Sequence, residues 1–311
     1  MSRRSDDKIV IIVRRTRLDD LIARFNTEDQ ARFYIEHLGA DFSDYQREDR
    51  VYKRAVGEAE EILFRYGRVQ VVDRSFVPNF IFGPRDVVVA IGQDGLVANV
   101  LKYLSGHLLV GVNPDPERWD GVLLPFTVSD LALVAPEILS EKRPVNEVTM
   151  AEAVLNTGEV LRGVNDLFIG PKTHVSARYT IRVGEASEDH SSSGVIVSTG
   201  LGSTGWLRSV FAGASGIVSA LSGRSPDIAG ETFAWDSDYL YFSVREPWPS
   251  QTTGAGITFG KVTAGVPLVL VSQMPENGVI FSDGVESDFL RFNSGTEATI
   301  ALADDKGRLV V

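Results

Sequence analysis

Apolar residues follow one rhythm in the first part of the chain and another in the second. Lys8 to Val13, KIVIIV, in which five apolar residues follow the lysine, predicts a strand. Residues 18–25 and 29–38 carry apolar side chains three and four apart and predict short helices. Over residues 44–66 Tyr52, Val56, Ala59, Leu63 and Tyr66 form an apolar stripe, so a longer helix is expected. A second strand follows at 68–72. Residues 87–91, VVVAI, predict a strand buried on both faces, as in a parallel sheet. Helical spacing returns at 96–104, and another strand at 108–112. Strands alternating with helices in this way predict a parallel sheet with helices on its faces. A short helix is expected at 146–156.

From about residue 165 the rhythm becomes alternation. Residues 175–183 include SARYTIRV, which predicts an antiparallel strand. Ser191, Ser192 and Ser193 are read as a polar hinge. Further strands are expected at 194–198, 239–244, 256–259, 268–271, 278–281, 288–292 and 298–302, punctuated by glycine, proline and serine. The expected fold is an α/β domain with a parallel sheet, residues 1–125, plus an all-β, sandwich-like domain from residue 126.

The chain has 311 residues and a formal net charge of −11, which argues against a dedicated nucleic-acid binder. Cysteine is absent, excluding disulfides and thiolate metal sites and suiting a reducing compartment. The histidines, His37, His107, His174 and His190, show no ligand spacing, so zinc is not expected. The N-terminal residues lack a secretory apolar stretch, and no run reaches membrane-spanning length. The expectation is a cytoplasmic protein without membrane or nucleic-acid partners.

The predicted strand 87–91 ends at Gly92-Gln93-Asp94-Gly95 and a helix follows. Strand, glycine loop and helix form the local geometry of an anion site. A carboxylate does not attract phosphate. Asp94 suits accepting a proton from a hydroxyl or holding Mg²⁺, or simply capping the helix in an ordinary turn. Asn113-Pro114-Asp115-Pro116 makes a fixed loop at the end of the next strand, with Asn113 as its candidate functional residue. Arg14, Arg15 and Arg17 follow the first strand, as phosphate ligands or as a solvated turn. In residues 195–206, VIVSTGLGSTGW, glycines surround Ser203 and Thr204 and suit a nest for phosphate oxygens, while Trp206 suits either the core or a nucleotide base. The Walker A pattern is missing.

Taken in order, these motifs resemble those of the NAD kinases, which phosphorylate the adenosine ribose 2′-hydroxyl of NAD. Gly92-Gln93-Asp94-Gly95 is similar to the family's GGDG. Asn165-Asp166 resembles its asparagine–acid pair, and Ser203-Thr204-Gly205-Trp206 its glycine, serine and threonine loop ending in an aromatic. Ser282-Asp283-Gly284 resembles a late aspartate–glycine turn. GVNPDPERWDGVLLP at 111–125, Ser192-Ser193-Gly194 and the 199–206 loop resemble the mitochondrial-type enzyme of animals. The resemblance covers residues 86–302.

It implies an α/β nucleotide-binding domain, an NAD-binding β domain over 126–292, and a tail at about 293–311 returning to the first. It implies ATP and Mg²⁺, an active site between the domains, and a homodimer or homotetramer. Asp94 becomes the catalytic carboxylate, with Mg²⁺ near it. Gly92, Gln93, Gly95 and Asn113 belong to the phosphate loop. Asn165, Asp166, Ser203, Thr204, Gly205 and Trp206 bind NAD. Two departures stand out. Gln93 replaces a glycine, straining the loop if that position has positive φ, and Leu96 replaces a threonine. They keep two alternatives open: an inactive nucleotide sensor, and a related kinase acting on a lipid or sugar-like hydroxyl.

Overall fold

The computed structural model describes residues 8–224, 232–285 and 288–311. The chain divides into two compact units, Met1–Asn146 with Arg308–Val311, and Glu147–Gly307.

The first unit runs β1 (Lys8–Val13), α1 (Arg17–Phe25), α2 (Glu28–His37), α3 (Ser43–Leu63), β2 (Arg68–Asp73), β3 (Val87–Ile91), α4 (Asp94–Leu101), β4 (Leu108–Asn113), β5 (Phe126–Thr127) and α5 (Leu131–Leu139). β6 (Val145–Val148) ends it. Every residue of β3 is buried, and it pairs parallel with β1 on one side and β4 on the other. The expected central parallel strand is therefore present. α3 lays Tyr52, Ala59 and Leu63 into the core, with Val56 and Tyr66 packed against it. α1 starts at a capping box: Thr16 and Asp19 satisfy each other's backbone N–H groups.

The second unit adds β7 (Ala151–Leu155), β8 (Val160–Gly163), β9 (Asp166–Pro171), β10 (Ala177–Val183), β11 (Ala186–Ser192), β12 (Val195–Ser198), α6 (Trp206–Ser222), β13 (Tyr239–Val244), β14 (Phe259–Thr263), β15 (Leu268–Ser272), β16 (Gly278–Ser282), β17 (Phe289–Arg291) and β18 (Glu297–Leu302). β19 (Gly307–Val310) then pairs parallel with β4. Two antiparallel sheets result, ordered β11-β10-β15-β18-β7-β8 and β14-β13-β12-β9-β16-β17. Tyr179, Ile181 and Leu270 from one and Ile169, Val197 and Phe242 from the other share a core. The fold is thus an α/β domain with a parallel sheet plus an antiparallel β sandwich.

Four details differ from the sequence expectation. The units divide at residue 146/147, not 125/126, because Leu131, Val134, Ala135 and Ile138 of α5 complete the core beneath β1, β3 and β4. The returning tail is shorter than 293–311, since β18 stays in the sandwich. The helix expected at 146–156 is instead β6 and β7. Alternate residues Ala151, Ala153 and Leu155 are buried, and that tertiary context overrides helix propensity. Ser191 and Ser192 are no hinge: both are buried at the end of β11, where Ser192 Oγ bonds Tyr179 OH at 2.8 Å. The sequence reading also lacked α6, of which only Leu207 is buried. Among the described residues no helix is long and apolar enough to cross a membrane.

One close approach fixes the loop after β4. A Cβ built on Gly111 would lie 1.9 Å from the Leu123 carbonyl oxygen, so the 121–124 segment crosses directly over the β4 backbone. Gly111→Ala is expected to cost at least ~1–3 kcal/mol, the scale of overpacking, because a backbone atom has to move. Gly95→Ala, which meets no atom within 4 Å, should leave melting almost unchanged. Thermal melts of the two variants beside the parent check this. A Gly111→Ala protein as stable as the parent would contradict it.

Candidate functional site

In the first unit the carboxyl ends of β1, β3 and β4 lie along one edge of the parallel sheet, as the register Ile11–Val89 and Ile91–Val112 requires. That edge carries Arg14, the Gly92 loop and Asn113. Tyr52 ties it to α3: its hydroxyl donates to the Ile91 carbonyl at 2.9 Å and accepts from the Arg14 N–H at 2.8 Å.

Gly92 is buried, and a Cβ there would meet Leu96 Cδ2 at 2.8 Å. The bare backbone and the leucine after it therefore go together. Gln93 has φ −115° and ψ 164°, an extended conformation open to any residue. The strain expected for a left-handed position is absent. Asp94 is the first residue of α4 and is half-buried. It does not cap that helix with its side chain. Instead, Oδ1 accepts the Leu123 N–H at 2.7 Å. Among the described residues Oδ2 has no hydrogen-bond donor, which leaves it for a proton or a cation. Gly95 is exposed.

Asn113 is buried and organises the loop that follows it. Its Nδ2 donates to the Trp119 carbonyl at 2.9 Å, and Oδ1 accepts the Asp115 N–H at 3.1 Å. The arginines after β1 are largely committed. Arg14 and Arg17 share the buried Glu48, and Arg17 and Arg118 share Asp44. Burial alone would raise the Glu48 carboxyl. Hydrogen bonds from Arg17 and Arg14 outweigh it and hold Glu48 below its ordinary range.

In the second unit the start of β9 and the ends of β12 and β16 meet at one sheet edge. Ser198 pairs with Asp166, and Ser282 with Leu167. Asp283, with φ +53°, turns its carboxylate back onto the backbone N–H groups of Val164, Asn165 and Asp166, at 3.0, 2.6 and 3.3 Å. Three convergent donors on one carboxylate fix the Asn165-Asp166 pair.

The 199–206 loop closes on the same place. Thr199 N–H donates to the Asn165 carbonyl at 3.0 Å, and Thr199 Oγ1 donates to the Val164 carbonyl. A Cβ on Gly202 would lie 2.1 Å from the Asn165 carbonyl oxygen. Asn165, Asp166 and the Ser203 loop therefore do converge.

Their side chains are placed differently. Ser203 is fully buried, and its hydroxyl donates to the Gly200 carbonyl at 2.7 Å and accepts the Phe233 N–H at 3.4 Å. It holds the loop's shape. Thr204 and Gly205 are exposed. Trp206 is half-buried and stacks on Phe168 with centroids 5.8 Å apart. Leu123, Thr199 and Asp283 each fell within a motif of the sequence reading, but the roles they play here, as backbone and carboxylate anchors, were outside it.

Asp166 has the most perturbed carboxyl of this edge. Oδ1 is buried with no hydrogen-bond partner among the described residues. Burial pushes the group up to about 7, against a hydrogen bond from Ser198 and with help from the negative Asp283. Its folded value lies above the unfolded one, so the folded state holds the proton longer. Stability should therefore fall as pH rises from about 4 to about 7 and then level. Asp166→Asn should remove that part of the slope. Denaturant unfolding of both proteins at stepped pH measures it, and identical pH profiles would contradict the assignment.

No family model and no curated protein matches the chain. Solved structures do. A NAD kinase from Archaeoglobus fulgidus in complex with ATP aligns with a TM-score of 0.59, covering 98% of this chain and 93% of that one at 15% identity. Yeast NADH kinase complexed with NADH aligns with a TM-score of 0.59, covering 99% and 84% at 14% identity. At such identities the likeness is one of fold: this chain folds as NAD kinases do.

Proposed function

We propose that the protein is an NAD kinase, transferring the γ-phosphoryl group of ATP to the adenosine ribose 2′-hydroxyl of NAD. The observation that carries this reading is Asp94. It stands at the carboxyl edge of a parallel sheet, at the N-terminus of α4, with one oxygen fixed by Leu123 and the other left for chemistry. A ribose hydroxyl is a weak nucleophile without a positioned base, and Asp94 Oδ2 supplies one. The N–H groups at the start of α4 favour anionic oxygens.

Asn165 and Asp166 are the residues assigned to the adenosine half of NAD. Their backbone N–H groups are held by the Asp283 carboxylate. The sequence details at 111–125 and 192–206 support the mitochondrial-type branch as the nearest kind. The two fold neighbours, solved with ATP and with NADH, support ATP and a nicotinamide dinucleotide as the substrates.

The donor set fits Mg²⁺ bound largely by phosphates. Mg²⁺ commonly takes one or two carboxylates plus substrate oxygens, and Asp94 offers one. Among the described residues no cluster of three or more metal-ligating side chains forms a cage. Bound there, the ion would neutralise charge on the transferred group.

Asp94→Asn keeps the Leu123 N–H bond through its amide oxygen but removes the base. NADP formation from NAD, ATP and Mg²⁺ should fall at least ~100-fold, with melting nearly unchanged. Because Gln93 is extended, Gln93→Gly reports on the side chain alone, and activity should be preserved or raised. Asp94→Asn as active as the parent would remove Asp94 from the chemistry. A parent that binds NAD tightly yet forms no NADP would favour the sensor reading, which rests on Leu96 covering Gly92 in place of a hydroxyl.

A further inference from the structure

α6 has apolar residues where a solvated helix carries charges. Its sequence, WLRSVFAGASGIVSALS, holds one charged residue, Arg208, in a chain of which 23% is charged. Leu207 is its one buried residue. Phe211, Ser215 and Ser219 follow on the same side at four-residue spacing and are half-buried. Phe211 rests against Phe259 of β14, with ring centroids 5.6 Å apart. That side joins the helix to the sandwich.

The outer side is bare. Val210, Gly213, Ala214, Ile217 and Leu221 recur three and four residues apart and share one face. Ile217 is 64% exposed and Leu221 85%, with Val218 beside them at 44%. A helix apolar on both sides is one that other surfaces cover, since helices of this length draw most of their stability from packing. Gly213 points the same way. Glycine weakens a helix interior, yet a Cβ there would meet nothing within 4 Å. No contact among the described residues calls for it, whereas a second surface approaching closely would.

The chain has little left with which to cover this face. Residues 1–7, 225–231 and 286–287, outside the described ones, contain only Met1 and Ile228 as large apolar residues. The face does fit itself. Its large side chains lie toward the C-terminus and its small ones toward the N-terminus. Laid antiparallel on a second copy, Ile217 meets Ala214 of the other copy, Leu221 meets Val210, and Val218 meets Gly213. Each contact then occurs twice, as a twofold axis requires. A parallel pair would set Gly213 against Gly213 and leave a gap. Charge favours the same occupant. Two chains of net charge −11 repel, and α6, which has no acidic residue, is a surface on which they meet with least repulsion.

We propose that the outer face of α6 is an interface between two copies of this chain, with the helices antiparallel across a twofold axis. Seventeen residues make a helix ~25 Å long. One such helix pair lies at the low end of specific interfaces, so the association is reversible.

Sedimentation of the full chain from about 1 to 100 µM tests this, the range of a micromolar association. The mass should double relative to the dilute species. Ile217→Glu and Leu221→Glu should each weaken the association at least ~10-fold, because each puts an unpaired charge into the contact twice. Ala212→Glu, on the opposite side of the helix, should associate like the parent. Melting of the dilute variants should match the parent, since these side chains are exposed. The chain has no cysteine, so Ala214→Cys and Ile217→Cys report the direction of pairing. When the two proteins are mixed and oxidised, the mixed disulfide should outnumber the two self-disulfides together. The proposal fails if the mass stays constant, if both glutamate variants at 217 and 221 associate like the parent, or if self-disulfides predominate. Constant mass together with binding to neutral phosphatidylcholine vesicles would overturn it in favour of a lipid surface as the occupant. Kinase activity plays no part in these readouts, so each reading can fail without the other.

Discussion

Leu123 holds the candidate chemistry of the first unit in place through its main chain alone. Its carbonyl rests on the bare backbone of Gly111, and its N–H binds Asp94 Oδ1 at 2.7 Å. One peptide segment thus sets both the path of the loop over β4 and the direction of the carboxylate at the start of α4. Asn113 holds the other end of that loop through Trp119 and Asp115. Gly121, at φ +67°, makes the turn that brings the chain back. Each contact involves backbone atoms that cannot swing away as a side chain can. The site is therefore organised before any ligand arrives, which is what transition-state positioning requires.

The second unit reaches the same end by another route. Asp283 bends back to gather successive N–H groups, while Gly202 lets the 199–206 loop touch the Asn165 backbone. The buried, raised Asp166 is the electrostatic consequence of that crowding. With Oδ1 desolvated and Asp283 beside it, its charged form is disfavoured. A carboxyl held near neutrality can offer a proton as a donor or accept a hydrogen bond, depending on what approaches it. Such tuning is common where a site must recognise a polar ligand.

Much of this was legible in the sequence because the relevant signals are periodic or compositional. Five consecutive apolar residues leave β3 few alternatives to a doubly covered strand. The stripe from Tyr52 to Tyr66 has one helical solution, and the alternation after residue 165 marks the sandwich. The Gly92, Asn165 and Ser203 regions each announced a loop beside a strand. What stayed hidden depends on contacts between distant backbones. Leu123 acts through its N–H and carbonyl, so its side-chain type gives no sign of its role. α6 is rich in glycine, alanine and serine and buries little, so it lacks the stripe that marks α3. Ser191 and Ser192 look like a hinge until Tyr179 supplies a buried partner. The strain expected at Gln93 depended on a φ value that no sequence pattern encodes.

The central claim is that Asp94 serves transfer of phosphate to a ribose 2′-hydroxyl. The most direct measurement follows the phosphorus itself. The parent protein is incubated with NAD, Mg²⁺ and ATP labelled at the γ-phosphate, and the products are resolved by phosphorus NMR and mass spectrometry. The account predicts that the label appears on the adenosine ribose 2′-oxygen of NADP, one for each ADP formed. Label that remains on ATP, or emerges only as inorganic phosphate, would contradict it.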